Sequence, residues 1–424
     1  MAERVLEVTF EREFVGALTR RVDDVWVLEY SPAWLASPRR FPLSHSLPLL
    51  RSLHEGPPVR HFFANLLPEG QIRRLVTQRL GISEDNDFEL LARIGGDCAG
   101  AVSVSPPGAP EPAAPAYREL TSREIGALAR ELDFAPLLVG EEGVRLSLAG
   151  AQNKLPVRIA DGRILLPLGG AASTHILKLP GTTFKHLAAN EVLVGDLARR
   201  VGLPVVSTSL LRPGRGLEIC VVARYDRTMD ATGTVRRLHQ EDLCQALGAA
   251  AAHKYESEGG PTFASCFELV TRVSANPLAD PKTLLDWLAF NAAVGNCDGH
   301  AKNLALLFGP SGACALAPLY DLVSTRAYPR LSRAMAMSID GIADLGAVNR
   351  KHWAGLAARL GVRAPFLLEN TRRVAEAVLE NLDAAARALR AAGSVPAAAQ
   401  LLLPSIRKPA RMLLRSLGPA PARA

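Results

Sequence analysis

The sequence predicts an α+β fold with two lobes, the first rich in strands and the second mainly helical, behind a small N-terminal α+β unit. Two observations support this prediction. Short alternating apolar runs dominate the first half of the chain, whereas helical spacing dominates after residue 227, an order typical of α+β proteins. A Pro/Ala-rich segment, 105–116, separates the N-terminal unit from the two lobes and has the composition of a linker.

The predicted organisation has five parts. With 424 residues, 48% of them hydrophobic, the chain is long enough for two or three domains with buried cores. We expect an N-terminal subdomain at 1–104, the linker at 105–116, a β-rich lobe at 117–227, a helical lobe at 228–408 and a frayed tail at 409–424.

The N-terminal unit is predicted to combine a strand meander with helices. Apolar and polar residues alternate in short runs, which is typical of half-buried strands. Other segments repeat their apolar residues at helical spacing. The predicted strands are 5–10, 14–18, 25–30 and 101–104, and the helical segments are 59–80 and 86–94.

The same periodicities predict the elements of the two lobes. The β-rich lobe is expected to have strands at 144–148, 154–159, 163–168, 175–179, 205–211 and 217–223, with helices at 122–132 and 185–201. The helical lobe is expected to have helices at 240–249, 262–275, 281–294, 353–361 and 364–392, and a strand pair at 304–308 and 313–317.

Composition argues against several classes of protein. No run approaches the ~18 consecutive apolar residues of a membrane span, and the first residues lack the apolar core of a signal peptide. The six cysteines form no C-x-x-C pair, which argues against a disulfide framework or zinc site and favours a reducing cytoplasm. The formal net charge of +7 is too mild to predict nucleic-acid binding. Because only eight of the 49 Lys and Arg residues are lysines, a lysine within an apolar strand stands out.

The most informative segment is a polar loop, NCDGHAKN (296–303), between an apolar helix and an apolar strand. Asp298 and Asn303 have the D-x-x-x-x-N spacing of the protein-kinase catalytic loop. In that arrangement the aspartate accepts the proton of the attacking hydroxyl, and the asparagine amide oxygen is a hard, neutral ligand for Mg²⁺. For Asp298 alone, a structural Asp-Gly turn is the alternative.

A second carboxylate and a lysine occur where phosphate transfer requires them. Asp321 follows an apolar strand downstream of the loop. Protein kinases have an aspartate in the same place, which chelates Mg²⁺ on the nucleotide phosphates. The structural alternative for Asp321 is an N-cap or a turn residue. Lys178 lies in the alternating strand THILKLP and is suited to neutralise phosphate, although lysines also protect sheet edges. Glu191, on the following helix, is a candidate ion-pair partner for Lys178.

The phosphate loop and the adenine pocket have weaker signals. The chain has neither a Walker A nor a G-x-G-x-x-G motif. The small-residue segment Ala149–Gln152 joins two predicted strands, and its backbone amides could face phosphate, but taken alone it is an ordinary hairpin. Tyr225, at the end of strand 217–223, either lines an adenine pocket or simply follows the strand.

Other common active sites are not indicated. The sequence has no G-x-S-x-G elbow and no H-E-x-x-H motif. His239, His253 and His300 lack the spacing of metal ligands, so each is interpreted first as a hydrogen-bonding loop residue.

Taken together, these motifs resemble the HipA-like serine/threonine kinases, the toxin halves of bacterial toxin–antitoxin pairs. The resemblance covers most of the chain, because FFANLLPEG (62–70) and LLARIGGDCAGAVSV (90–104) are similar to the family's N-terminal subdomain. In the lobes it is carried, in order, by SLAGAQNK (147–154), THILKLP (174–180), NEVLVGDLARRVGLPV (190–205), VVARYDR (221–227), HQEDLCQALG (239–248), KYESEGGP (254–261), DGHAKN (298–303) and LYDLVS (319–324).

The resemblance implies a kinase that uses ATP and Mg²⁺ to phosphorylate protein hydroxyls. The family's best-known target class is aminoacyl-tRNA synthetases, above all glutamyl-tRNA synthetase, whose loss of activity arrests growth. Carried over by motif, Asp298 is the catalytic base, Asn303 and Asp321 are the Mg²⁺ ligands, and Lys178 binds phosphate.

The resemblance also implies further nucleotide contacts and a form of regulation. Ser147 matches a serine that family members autophosphorylate, which ejects the phosphate loop and silences the kinase. The implied partner is a small helix-turn-helix antitoxin, similar to HipB, that binds operator DNA, so DNA contact is indirect. The residues implied to bind nucleotide are Gly150, Ala151, Gln152, Asn153 and Lys154 of the phosphate loop, with Tyr225 and His300.

Two alternatives remain open at the level of sequence. The loop spacing is shared across kinase-like enzymes, so a small-molecule phosphotransferase is one alternative. A non-catalytic co-repressor that acts with a DNA-binding antitoxin is the other, although the full set of Lys178, Asp298, Asn303 and Asp321 argues against a decayed active site.

Overall fold

The N-terminal unit is an antiparallel sheet with helices packed against it. The computed structural model describes residues 3–96, 98–109, 114–130, 152–181, 183–309 and 312–419. The strands are β1 (Arg4–Phe10), β2 (Glu13–Arg20), β3 (Trp26–Tyr30), β4 (Leu53–Glu55) and β5 (Val102–Ser105), and the helices are α1 (Pro32–Ala36), α2 (Pro57–Ala64), α3 (Gly70–Leu80) and α4 (Asp87–Ile94). In the described residues the strand order is β4-β3-β2-β1-β5.

One helical segment of this unit is divided in two, unlike the prediction. Helical spacing was expected to run through 59–80, but α2 ends at Ala64 and α3 begins at Gly70. Pro68 lies in the break, and proline removes a backbone donor and disfavours the helical conformation of the residue before it. The break lets Asn65 and Glu69 reach the helical lobe, where both contact lysines.

The second sheet forms the β-rich lobe. Its strands are β6 (Ala116–Glu119), β7 (Lys154–Ala160), β8 (Arg163–Leu168), β9 (His175–Lys178), β10 (Thr208–Leu211) and β11 (Ile219–Ala223), with helices α5 (Ser122–Leu128) and α6 (Leu187–Arg200). Within the described residues the strand order is β10-β11-β9-β7-β8-β6. Strand β9 therefore pairs on both sides, which places Lys178 opposite Lys154 on one neighbour and Cys220 on the other. Lys178 is an interior residue of the sheet, so the edge-protecting alternative is wrong.

The helical lobe is built around a long buried helix. Its helices are α7 (Leu243–Ala246), α8 (Phe263–Val273), α9 (Ala279–Val294), α10 (Arg350–Arg359), α11 (Ala364–Ala391) and α12 (Pro396–Ser416). Its strands are β12 (Arg227–Met229) with β13 (Val235–Arg237), β14 (Gln240–Asp242) with β15 (Ala305–Phe308) and β16 (Cys314–Leu316), and β17 (Ala334–Ile339) with β18 (Ile342–Asp344). Helix α9 is buried along most of its length and packs against α11 and α12.

Two further predictions about this lobe are wrong. Residues 240–249, expected to be helical, form strand β14 and the short helix α7, because Asp242 caps the helix and its capping box with Gln245 sets where the helix begins.

The expected frayed tail at 409–424 is helical through Ser416, and Ala410 and Leu413 are buried. Helix α12 contains Pro404 and Pro409, and its packing against α9 and α11 outweighs their cost.

No helix of the described residues is long and apolar enough to cross a lipid bilayer. The six cysteines are free and buried.

The N-terminal unit and the helical lobe share a buried polar interface. Glu241 of β14 accepts hydrogen bonds from Ser44 Oγ at 2.5 Å and from the His45 backbone N–H at 3.0 Å, and it pairs with His45 Nδ1 at 2.5 Å. Burial opposes a charge on His45, but the hydrogen bonds that it makes to Cys314 and Glu241 favour the protonated ring and raise its pKa to about 9. His45 is therefore protonated at neutral pH and bridges the two units as an ion pair.

The His45 ion pair predicts a pH dependence of stability. Because the pKa of His45 rises from 6.5 when unfolded to about 9 when folded, its contribution is complete below pH 6.5 and is lost as pH rises through about 9. We expect His45→Asn to lower the melting temperature most below pH 6.5 and progressively less toward pH 9. Thermal unfolding of both proteins across that range measures the difference, and a difference that does not change with pH contradicts the ion pair.

Candidate active site

The polar loop predicted to carry the chemistry connects α9 to β15. Helix α9 ends at Gly295, whose φ of +70° is a left-handed conformation that favours glycine. Asn296 then bonds back to the helix, its backbone N–H donating to the Asn291 carbonyl at 2.9 Å and its Nδ2 to Asn291 Oδ1 at 2.9 Å. A short 3₁₀ helix, Ala301–Asn303, follows. The predicted order of helix, polar loop and strand is confirmed.

Asp298 is exposed on this loop and is held from two sides. Its backbone N–H donates to Asn296 Oδ1 at 3.1 Å, which fixes the turn. Its Oδ1 accepts a hydrogen bond from the Tyr255 hydroxyl at 2.7 Å. An exposed carboxylate with a fixed backbone and one oxygen held by a donor is suited to receive a proton from an approaching hydroxyl.

Asn303, the last residue of the loop, lies beside Asp321. Asn303 Oδ1 accepts a hydrogen bond from the His300 backbone N–H at 3.0 Å, and its Nδ2 donates to Asp321 Oδ2 at 3.3 Å. Asp321 has a φ of +59°, so its backbone is strained, a feature that clusters at functional sites. An amide beside a carboxylate supplies the oxygen ligands that Mg²⁺ prefers, so the two residues brought together here fit that ion.

Lys178, on strand β9 of the β-rich lobe, forms an ion pair with Asp321. Its Nζ donates to Glu191 Oε1 and to Asp321 Oδ1, each at 2.5 Å, and the predicted pairing with Glu191 is confirmed. Burial opposes the charge on Lys178, but Asp321 and Glu191 raise its pKa above the usual range. Burial would raise the pKa of Asp321, but Lys178 and Lys154 hold it well below its usual range. The site therefore holds a charged lysine beside an ionised carboxylate.

The predicted phosphate loop is described only at its end. Ser147, Gly150 and Ala151 lie outside the described residues. Gln152 and Asn153 lead into β7, where the Asn153 carbonyl accepts a hydrogen bond from the Leu179 N–H at 3.0 Å.

Lys154 begins β7 in register with Lys178, so it lies beside the ion pairs of that lysine. Burial lowers the pKa of Lys154, although the carboxylates of Asp321 and Glu191 favour its charged form.

Tyr225 is partly buried beside the segment that leads to Asp321. Its ring stacks on Tyr320 with centroids 5.6 Å apart, and its hydroxyl donates to Gln240 Oε1. Tyr320 directly precedes Asp321, so Tyr225 supports the segment that presents the Mg²⁺-ligand candidate. His300, within the loop, is buried, and its ring is edge-on to Tyr255 with centroids 5.4 Å apart.

Sequence reasoning assigned no role to Tyr255. The residue belongs to KYESEGGP, 43 positions before Asp298, and no local spacing links the two. Its neighbour Glu256 bonds to the Ser338 backbone N–H at 2.6 Å and its hydroxyl at 2.7 Å, which anchors this segment against β17. Tyr255 is thus a fixed donor to the candidate catalytic base.

Removing this donor is expected to slow catalysis. In Tyr255→Phe the Asp298 carboxylate loses one hydrogen bond to a charged group, and we expect kcat to fall about tenfold while the KM for ATP stays unchanged. Steady-state phosphate-transfer rates measure both constants. Tyr117→Phe, which removes a hydroxyl that donates to the Ala172 carbonyl, serves as the control. An unchanged kcat in Tyr255→Phe contradicts the assigned role.

Known proteins and family models match this chain over nearly its whole length. Residues 146–389 match the family model of the HipA-like C-terminal domain, and residues 6–105 match that of the HipA N-terminal domain. A putative kinase, Y4mE, from Sinorhizobium fredii is 44% identical over 92% of this chain and 93% of its own. The serine/threonine-protein kinase toxin HipA of Shewanella oneidensis is 31% identical over 84% of this chain and 83% of its own.

A solved structure agrees with these sequence matches. HipA in a complex with HipB and operator DNA, from Shewanella oneidensis, superimposes with a TM-score of 0.84 and 28% identity. The match covers 97% of each chain.

Proposed function

The chain belongs to the HipA family, and from that premise we propose that it is an ATP- and Mg²⁺-dependent serine/threonine-protein kinase that acts as the toxin of a toxin–antitoxin pair. The observation that carries this proposal is the convergence of Lys178, Asn303 and Asp321 beside the exposed Asp298 loop. Each of the four has the chemistry that phosphate transfer to a hydroxyl requires.

The proposed reaction uses these residues in distinct roles. Asp298 accepts the proton of a serine or threonine hydroxyl, the hydroxyl oxygen bonds to the γ-phosphorus of ATP, and the bond to the bridging oxygen breaks to release ADP. Lys178 neutralises negative charge on the phosphates. Asn303 and Asp321 hold Mg²⁺, which when bound neutralises charge on the transferred phosphoryl group.

The proposed substrate and regulation follow from family membership. We propose an aminoacyl-tRNA synthetase, such as glutamyl-tRNA synthetase, as the protein substrate, and autophosphorylation of Ser147 as the silencing step. A phosphate there would add nearly two negative charges to a segment that must bind ATP phosphates. The proposed partner is a HipB-like antitoxin, because the related HipA was solved together with HipB and operator DNA.

The test of this proposal uses acceptors of different classes. The purified chain is incubated with γ-labelled ATP and Mg²⁺, together with glutamyl-tRNA synthetase or with small alcohols. We expect label on the synthetase and none on the alcohols, and growth arrest on expression that a co-expressed helix-turn-helix antitoxin relieves. Label on small alcohols alone contradicts the proposal and supports a small-molecule phosphotransferase.

A further inference from the structure

A buried cluster of charges joins the N-terminal unit to the catalytic loop. Lys302 lies inside the loop, and its Nζ donates to Asn65 Oδ1 at 2.6 Å and to the Asn65 carbonyl at 3.3 Å. The same Nζ pairs with Asp242 Oδ2 at 2.9 Å and lies 3.7 Å from Glu69 Oε1. Asn65 and Glu69 belong to the N-terminal unit, in the break between α2 and α3, so distant parts of the chain meet at one lysine.

Glu69 contacts a second lysine on the other side of the loop. Its Oε2 accepts a hydrogen bond from Lys254 Nζ at 2.9 Å. Lys254 directly precedes Tyr255, the donor to Asp298, and Lys302 directly precedes Asn303. Glu69 therefore lies between two lysines, each one position away from a residue of the catalytic machinery.

The cluster is largely excluded from water, and Glu69 Oε1, which lies 3.7 Å from Lys302 Nζ, accepts no hydrogen bond within the described residues. The side chains of Lys302 and Glu69 are 7% and 18% exposed. Burial would raise the pKa of Glu69, but Lys302 and Lys254 hold it below its usual value. Asn65 is fixed in turn, because its Nδ2 donates to the His61 carbonyl at 2.8 Å and the Ala249 carbonyl at 3.0 Å. A rearrangement that separated these residues would leave buried charges without partners. Because that is costly, the cluster favours a single arrangement.

The catalytic loop is also held on the side that faces Asp321. The Tyr320 hydroxyl donates to the Lys302 carbonyl at 2.7 Å, and Tyr320 directly precedes Asp321. The 3₁₀ helix that carries Asn303 is therefore fixed between the N-terminal unit and the segment that carries Tyr320 and Asp321. A shift of Lys302 moves the backbone of Asn303 directly.

We propose that Asn65 and Glu69 of the N-terminal unit are positioning residues for phosphate transfer, which act through Lys302 and Lys254 to hold Asn303 and the Asp298–Tyr255 pair in place. The inference rests on the proposed kinase function and assigns the N-terminal unit a part in the catalytic step. Neither residue contacts Asp298, Asn303 or Asp321 in the hydrogen bonds and ion pairs of the described residues. Their effect is therefore indirect.

The test compares two matched Glu→Gln variants of the N-terminal unit. Glu69→Gln removes the charge between the two lysines without changing side-chain size. Glu89→Gln removes a carboxylate that is 17% exposed and pairs with Arg4 and Arg93, away from the catalytic loop. We expect Glu69→Gln to lower kcat roughly tenfold with the KM for ATP unchanged, since small misplacements of catalytic groups cost rate rather than binding. Glu89→Gln is expected to keep the wild-type kcat.

Amide hydrogen exchange supplies a second readout that does not depend on activity. Residues 254–256 and 298–303 are expected to exchange faster in Glu69→Gln and at the wild-type rate in Glu89→Gln. Glu69→Asp, which keeps the charge on a shorter side chain, is expected to restore part of the kcat. Circular dichroism melts show whether each variant is folded at the assay temperature.

The outcomes separate this inference from the proposed function. If wild-type protein transfers no phosphate, the kinase proposal fails. If wild-type protein is active and Glu69→Gln has the same kcat and exchange rates, the positioning role is overturned. A fall in kcat that only matches the unfolded fraction, or that appears equally in Glu89→Gln, also overturns it.

Discussion

Asp298→Asn is expected to lower kcat for phosphate transfer by roughly 10²–10⁴-fold, the usual contribution of a general base. Asparagine has nearly the same shape as aspartate, and its amide oxygen still accepts the Tyr255 hydrogen bond, but it cannot take the hydroxyl proton. Nucleotide binding is expected to stay at the wild-type level, because Lys178 and Asp321 are untouched. Single-turnover transfer from γ-labelled ATP, with ADP affinity measured by calorimetry, gives both quantities.

The control for this variant is another aspartate in the same lobe. Asp383 pairs with Arg407 on the surface of α11, at 2.8 Å, and contacts none of the site residues. Asp383→Asn is expected to transfer phosphate at the wild-type rate. Equal rates for Asp298→Asn and wild type remove Asp298 from the role of base.

Lys178→Met is expected to have the second large effect, on stability and on nucleotide binding together. The lysine is 5% exposed and neutralises Glu191, which is 3% exposed. Its removal leaves a buried carboxylate without its partner, and breaking such a pair costs about 3 kcal/mol of the free energy of unfolding. We also expect loss of measurable Mg·ATP binding, because the phosphates lose their lysine.

A double variant separates these two consequences. Lys178→Met/Glu191→Gln removes the uncompensated charge, so we expect chemical denaturation to show recovery of most of the lost stability. Nucleotide binding is expected to remain absent, since no cation replaces Lys178. A double variant that is stable and binds Mg·ATP like wild type contradicts the role of Lys178 at the phosphates.

The catalytic loop was the part of the site most accessible from sequence. Asp298 and Asn303 are close along the chain, so their spacing and the flanking apolar elements predicted a shared loop between a helix and a strand. Asp321 was predicted from its place after the next strand, and it does lie beside Asn303. Lys178 was singled out because lysines are few in this chain, and Glu191 was its candidate partner because it lies on the following helix; the ion pair between them is present.

The contacts that support the catalytic loop could not be predicted from the sequence. Tyr255 reaches Asp298 across 43 residues, and Asn65 reaches Lys302 across 237. Such contacts are set by how the N-terminal unit and the helical lobe pack, and a single sequence carries no periodic signal for that packing. Pro68 is a local signal for the break between α2 and α3, from which Asn65 and Glu69 make their contacts, but the prediction of helical spacing over 59–80 did not use it.

The errors in the predicted fold have a common physical cause. Residues 240–242 have no strong strand pattern of their own, and they become a strand because β15 pairs with them. Residues 409–416 contain a proline, but they stay helical because Ala410 and Leu413 are buried in the core of the lobe. In both cases tertiary packing outweighs the local preference of the chain.

In the proposed function, the residues around Lys178, Asp298, Asn303 and Asp321 transfer the γ-phosphate of ATP to protein hydroxyls with the help of Mg²⁺. The most direct measurement incubates wild-type protein with γ-labelled ATP, with and without EDTA, and identifies the labelled residues by mass spectrometry. We predict label on serine or threonine in the presence of Mg²⁺ and none when EDTA removes it. No label with Mg²⁺, or equal label with EDTA, contradicts the claim.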